Sequence, residues 1–175
     1  GGALAVLGLI LGLMMAFDMG GPVNKVAYTF AVTGLATAGA AVSATEFQIM
    51  AIVMAAGMTP PLGLALATNL RKKAFSESEQ ENGKAAWLLG ASFISEGAIP
   101  FAAADPVRVI PSIMIGSGIT GALVALFGNE LRAPHGGIFV FPLVSDWLTY
   151  VLAIAIGTVV TALLVLVAKG IGAKK

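Results

Sequence analysis

Ser95-Glu96-Gly97-Ala98-Ile99-Pro100-Phe101 sets a single carboxylate beside a glycine and a proline, just after the apolar run 85–94. An ionisable group near hydrocarbon costs about 2.5–3.5 kcal/mol on insertion scales and usually faces a cavity, a pore or a partner. Glycine and proline next to it predict a broken helix, which frees backbone groups to meet a ligand. An ionised carboxylate accepts several hydrogen bonds and donates none, which suits adjacent hydroxyls. The same group can act as general base toward one of them. The plain alternative is a carboxylate snorkelling to water at a helix end. The apolar neighbours Leu88, Leu89, Phe93 and Ile94, with Ile99 and Phe101, argue against it.

Two further segments carry groups of the same kind. His135 stands in Arg132-Ala133-Pro134-His135-Gly136-Gly137, before the apolar Ile138-Phe139-Val140-Phe141-Pro142. A lone histidine is commonly an ordinary loop residue. Here the flanking proline and glycines let ring and backbone approach a ligand closely, and imidazole donates and accepts near neutral pH. Asn24 lies in Asp18-Met19-Gly20-Gly21-Pro22-Val23-Asn24-Lys25, where its amide is a candidate contact for a hydroxylated ligand. Turn chemistry between two helices explains that segment equally well, with Lys25 at an interface. Asp105 and Arg108 read as a cap and a helix-end charge, and Trp87 as an interface anchor.

The elements that must position these groups are those of a membrane protein. Hydrophobic residues make up 58% and charged residues 11% of the chain, against about 25% charged in a soluble domain. A net charge of +1 gives no basic footprint, so nucleic acid is not an expected partner. Without cysteine there are no disulfides or thiolate sites, and one histidine makes a metal site unlooked for. No cofactor is expected.

Apolar helix-length runs occupy 2–17, 26–44, 47–68, 85–94, 107–127 and 147–168, so the fold class is an all-α polytopic transmembrane bundle. The first run lacks the basic start of a signal peptide. At 16 residues it spans about 24 Å, less than a bilayer core, and reads as a helix cut at its start. The second run is rich in Gly34, Ala36, Ala38, Gly39, Ala40 and Ala41, and is expected to pack inside the bundle. In the third, Thr59-Pro60-Pro61 predicts a kink or a broken span.

Residues 71–84 hold seven charges and belong in water, with Ser76 and Glu79 spaced as a capping box. Asp105-Pro106 and Ser145-Asp146 mark two more helix starts. Lysine and arginine at 71–73, 84, 169, 174 and 175 place both regions on the cytoplasmic side. An even number of crossings then separates Lys84 from Lys169. The runs 107–127 and 147–168 supply two, which makes 85–104 a re-entrant hairpin and puts 128–145 near the outer side, folding back inward.

Four segments in order resemble the membrane-embedded IIC component of the bacterial phosphoenolpyruvate-dependent sugar phosphotransferase system, fructose-specific family. They are Asp18 to Lys25, Thr59-Pro60-Pro61-Leu62-Gly63, Ile94 to Phe101 followed by Ala104-Asp105-Pro106, and Ala133-Pro134-His135-Gly136-Gly137. The Glu-Gly-Ala-Ile-Pro-Phe and Pro-His-Gly-Gly segments are the specific ones. The resemblance implies that residues 1–175 are the C-terminal part of a IIC domain, a permease that imports fructose or a similar sugar while it is phosphorylated. The phosphoryl group would come from a phosphocysteine on a cytoplasmic IIB domain. Glu96 would be catalytic and sugar-binding, with His135 as a further sugar contact, while Asn24 stays a candidate on its own amide chemistry. The implied partners are the sugar, phosphorylated IIB, the remaining N-terminal IIC helices and the lipid bilayer; the small-residue helix faces add the expectation of a homodimer. The implied location is the bacterial inner (plasma) membrane, crossed several times. This chain lacks the phosphocysteine and would not complete the reaction alone. Two other readings stay open: a proton-coupled or facilitative secondary transporter using Glu96, and a purely structural membrane subunit.

Overall fold

The computed structural model describes residues 2–41 and 43–172, and among them the only β-pairing is an isolated bridge between Leu131 and Val144. Seven helices follow one another: α1 Gly2–Phe17, α2 Pro22–Ala38, α3 Ala44–Leu70, α4 Glu77–Ala91, α5 Ile99–Ala104, α6 Pro106–Phe127 and α7 Trp147–Gly172. Short 3-10 turns occupy Ser95–Ala98 before α5 and Ile138–Leu143 before α7. Among the described residues three helices, at Ala44–Leu70, Pro106–Phe127 and Trp147–Gly170, are long and apolar enough to cross a membrane. Lys174 and Lys175, counted above for orientation, lie outside the described residues.

The axis of the molecule is α3. Every residue from Met50 to Pro61 is buried, as expected of a helix that is apolar on all sides. The proline pair does not break it; α3 is one continuous helix of 27 residues, about 40 Å long at 1.5 Å per residue. A proline has no amide hydrogen, so Pro60 and Pro61 leave the carbonyls of Ala56 and Gly57 without their helical donors. Both are taken from elsewhere. Ser117 Oγ donates to the Ala56 carbonyl at 3.1 Å, and Ser95 Oγ donates to the Gly57 carbonyl at 2.7 Å. Helix-breaking residues persist inside a membrane when neighbours supply the missing bonds in this way.

Close backbone approach sets the crossings. Gly8 and Gly12 of α1 lie against Gly121 and Ser117 of α6, where a Cβ on Gly8 or Gly121 would collide with the other's carbonyl. This antiparallel pairing uses small residues four apart on both helices, the usual way that helices approach in lipid. Gly116 of α6 and Gly157 of α7 meet similarly, each also facing a threonine of the other helix. The run 26–44, expected to pack inside the bundle, is little covered within this chain. That helix stops at Ala38, and only Asn24, Ala27 and Ala31 of it are buried, while Val26 and Phe30 are exposed. Its small residues 34–38 are not a packed core.

Two helical hairpins oppose each other across α3. In the first, α1 runs to Phe17, the chain turns at 18–21, and α2 returns until Gly34 faces Glu46 in the first turn of α3. In the second, α4 starts from the predicted capping box: Glu79 N–H donates to Ser76 Oγ at 3.2 Å and Ser76 N–H to Glu79 Oε1 at 3.4 Å. The chain turns at 92–98 and comes back through α5. Its two ends are pinned together by Lys169 near the end of α7, with Nζ 3.7 Å from Glu79 and 3.5 Å from Asp105. Asp105 occupies the cap position of α6, but its carboxylate binds Arg108 and Lys169 in place of a helix amide, contrary to the simple cap expected. Asp146 does cap α7, accepting from Thr149 N–H at 3.4 Å.

Candidate functional site

Three loops converge on the middle of α3. The first is the turn between α1 and α2. Asp18 accepts from the amides of Val23 and Asn24 at 2.7 and 2.9 Å, so its carboxylate satisfies the exposed first turn of α2. Asn24 is buried, and its Nδ2 donates to the Met15 carbonyl at 2.7 Å, closing the last turn of α1. One of the two donors of this amide is therefore committed to the fold, and its oxygen stays available to a ligand. Gly20 adopts φ +101° at the tip.

The second loop is the tip of the α4–α5 hairpin. Ser95 is buried and holds this tip to the Gly57 carbonyl, halfway along α3. Glu96 follows on the opposite side. Its carboxylate lies against Gly20, where any Cβ would overlap it, so the tips of the two hairpins touch at this pair. Glu96 is exposed, as are Ile94 and Ile99 beside it. The apolar flanks do not cover it within this chain: Phe101 and Ala98 turn inward, while Ile94, Glu96 and Ile99 share an open face.

The third loop, 128–146, comes from the far end of the molecule, where Leu131 N–H bonds the Phe47 carbonyl at 3.0 Å and Arg132 covers the Phe47 ring. From there it reaches the tip of the α4–α5 hairpin. Gly136 meets the Phe93 ring, and Gly137, at φ +84°, lies against the Ala91 carbonyl and Ser92. His135 is exposed and lines a cavity of about 500 Å³ with Tyr28, Ser92, Phe93 and Phe139. Glu96 does not line that cavity. Contacts link the three segments around Gly57: Ser95 and Phe93 reach it from the hairpin tip, Gly20 of the first turn meets Glu96, and Gly136 beside His135 meets Phe93. Phe93 joins them: its ring reaches Gly57, Gly136 and Tyr28, the last stacked at 6.4 Å.

Sequence reasoning missed Tyr28, Ser95 and Ser117. The two serines answer to the prolines of α3, so the signal lay in Pro60-Pro61, which requires donors without saying from where.

Residues 1–116 match the family described as Phosphotransferase system, EIIC. The chain belongs to that EIIC family. Similar full-length proteins agree. The PTS system fructose-specific EIIB'BC component of Rhodobacter capsulatus is 59% identical over 94% of this chain and 28% of the relative. The PTS system fructose-specific EIIC component of Haloferax volcanii is 50% identical over 94% of the chain and 42% of its own length. The Fructose-like permease IIC component 2 of Escherichia coli K12 is 47% identical over 99% and 46%. The EIIC chain described here therefore spans about a quarter to a half of the relatives it matches. No solved structure matches it. With three helices long and apolar enough to span a bilayer, this EIIC chain is a membrane protein.

Proposed function

We propose that this EIIC chain is part of a sugar permease that imports fructose, or a similar sugar, and presents it to a phosphorylated IIB partner. The observation that carries the reading is the convergence of the Glu96 tip, the Asn24 turn and the His135 loop on the middle of the longest apolar helix. Transporter sites built from broken helices and loops near the bilayer midplane have this organisation. The fructose-specific and fructose-like names of the relatives support the choice of sugar, and the EIIB'BC name supports a IIB partner.

A neutral sugar needs a few placed polar groups and no counter-charge. In this reading Glu96 accepts hydrogen bonds from the sugar and takes the proton of the attacking hydroxyl. The new oxygen–phosphorus bond then forms as the sulfur–phosphorus bond of the IIB phosphocysteine breaks. His135 donates or accepts from the adjoining cavity, and Asn24 offers its amide oxygen. Transfer of this kind depends mainly on positioning and charge stabilisation. The α4–α5 hairpin is read as re-entrant, its charged base on the cytoplasmic side and its tip at mid-depth. Its open face, with Ile94, Glu96 and Ile99, would meet the remaining IIC helices. We place the whole protein in the plasma membrane of a bacterium, crossing it several times, as a homodimer.

The test is Glu96→Gln in the full-length protein, assayed in vesicles supplied with phosphorylated IIB. The expected result is normal insertion with loss of sugar phosphate formation, by about 10²-fold or more if a general base is removed. Wild-type rates in this variant would remove Glu96 from the chemistry. Accumulation of unmodified sugar driven by a pH gradient would instead support a proton-coupled carrier.

A further inference from the structure

The turn that ends α4 has an unusual occupant. Ile94 N–H bonds the Leu89 carbonyl at 2.8 Å and Phe93 N–H bonds the Gly90 carbonyl at 3.1 Å. This pair of bonds is a Schellman motif, in which the residue just past the helix takes the left-handed conformation and is usually glycine. Here it is Phe93, at φ +64°. A side chain at that φ carries a steric cost that glycine avoids. Residues held in such a conformation persist when the surroundings over-determine them, and they cluster at functional sites.

The surroundings here are specific to the ring. Two glycines make room for it: a Cβ on Gly57 would strike the tip of the Phe93 ring, and a Cβ on Gly136 would strike its base. Tyr28 of α2 stacks on it with an interplanar angle of 28°. One side chain therefore touches α2, the midpoint of α3 and the His135 loop, while its backbone leads within three residues to Glu96.

We infer that Phe93 is a positioning residue: its ring fixes the hairpin tip that carries Glu96 against the loop that carries His135. The inference rests on the reading of Glu96 and His135 as the sugar site. It goes beyond that reading by assigning the distance between the two groups to one wedge and its two glycine slots.

Phe93→Gly separates this role from ordinary packing, because glycine relieves the left-handed backbone while removing the wedge. The full-length protein is assayed for sugar phosphorylation with phosphorylated IIB, alongside its thermal unfolding in detergent. The inference predicts a folded protein whose kcat falls about 100-fold, the scale of a 1 Å misplacement, with KM changed far less. A kcat within about threefold of wild type, about half a decade in rate, overturns it. The second test is Gly57→Ala, which crowds the tip of the ring, and Gly57→Ala combined with Phe93→Leu, which lacks the two ring atoms struck and makes room again. Loss in the single variant and recovery in the pair support the wedge, whatever Phe93→Gly does to folding. Equal activity in both, or loss in both, contradicts it. If wild-type protein forms no sugar phosphate, it is the proposed function that fails.

Discussion

Pro60 and Pro61 remove two amide donors from the centre of the molecule, and the hydroxyls of Ser117 and Ser95 replace them. Ser95→Ala should leave the buried Gly57 carbonyl unpaired, at a cost of about 1–3 kcal/mol, read as a lower thermal midpoint in detergent. Pro61→Ala restores an amide hydrogen facing the same carbonyl. In that background, the penalty of Ser95→Ala should shrink toward zero. A penalty that stays the same would mean that Ser95 matters for some other reason. At this scale the sequence was partly legible. Glu96, His135 and Asn24 stood out because a charge, a lone imidazole and an amide sit beside glycine and proline. The serines did not, since they lie 38 and 61 residues from the carbonyls they serve. Nor did the motif reveal that Asn24 gives one donor to Met15.

Helix ends and helix crossings obey different signals. Ser76 with Glu79, and Asp146, act locally, and the capping pattern placed the starts of α4 and α7. Crossings are set between distant segments. Gly34 to Ala41 looked like a packing face by composition, yet the tight contact runs between Gly8 of α1 and Gly121 of α6. Glycine permits close approach without choosing a partner, so composition alone does not say which faces meet within this chain. Gly121→Leu would drive a side chain into the Gly8 carbonyl, which cannot rotate away. The cost should reach or exceed the roughly 1–3 kcal/mol of overpacking, measured as lost folded yield. Gly2→Ala, with open space around it, should be neutral.

Two hairpins, α6 and α7 pack around α3, and Lys169 of α7 fastens the base of the α4–α5 hairpin. The side chains of Lys169, Glu79 and Asp105 are only 12%, 14% and 18% exposed, so the pairs lie between the exposed and buried regimes. Lys169→Met should cost between about 1 kcal/mol and the 3–5 kcal/mol of a broken buried pair. The effect should localise: hydrogen exchange should quicken across residues 77–104 while the middle of α3 stays protected. Uniform exchange would show that the pairs do not hold the hairpin. The re-entrant course of 85–104 is a proposal drawn from charge parity at Lys84 and Lys169. The open face around Glu96 was not legible, since apolar neighbours say what they avoid and not what covers them.

The central claim is that Glu96 and His135 serve one sugar, and chemical protection tests it most directly. Full-length protein in vesicles, with its other reactive carboxylates and histidines mapped by mass spectrometry, is treated with a carbodiimide and, separately, with diethylpyrocarbonate. Fructose should slow modification of both Glu96 and His135, and a sugar that is not transported should slow neither. Modification of Glu96 at the same rate with and without fructose would contradict the account.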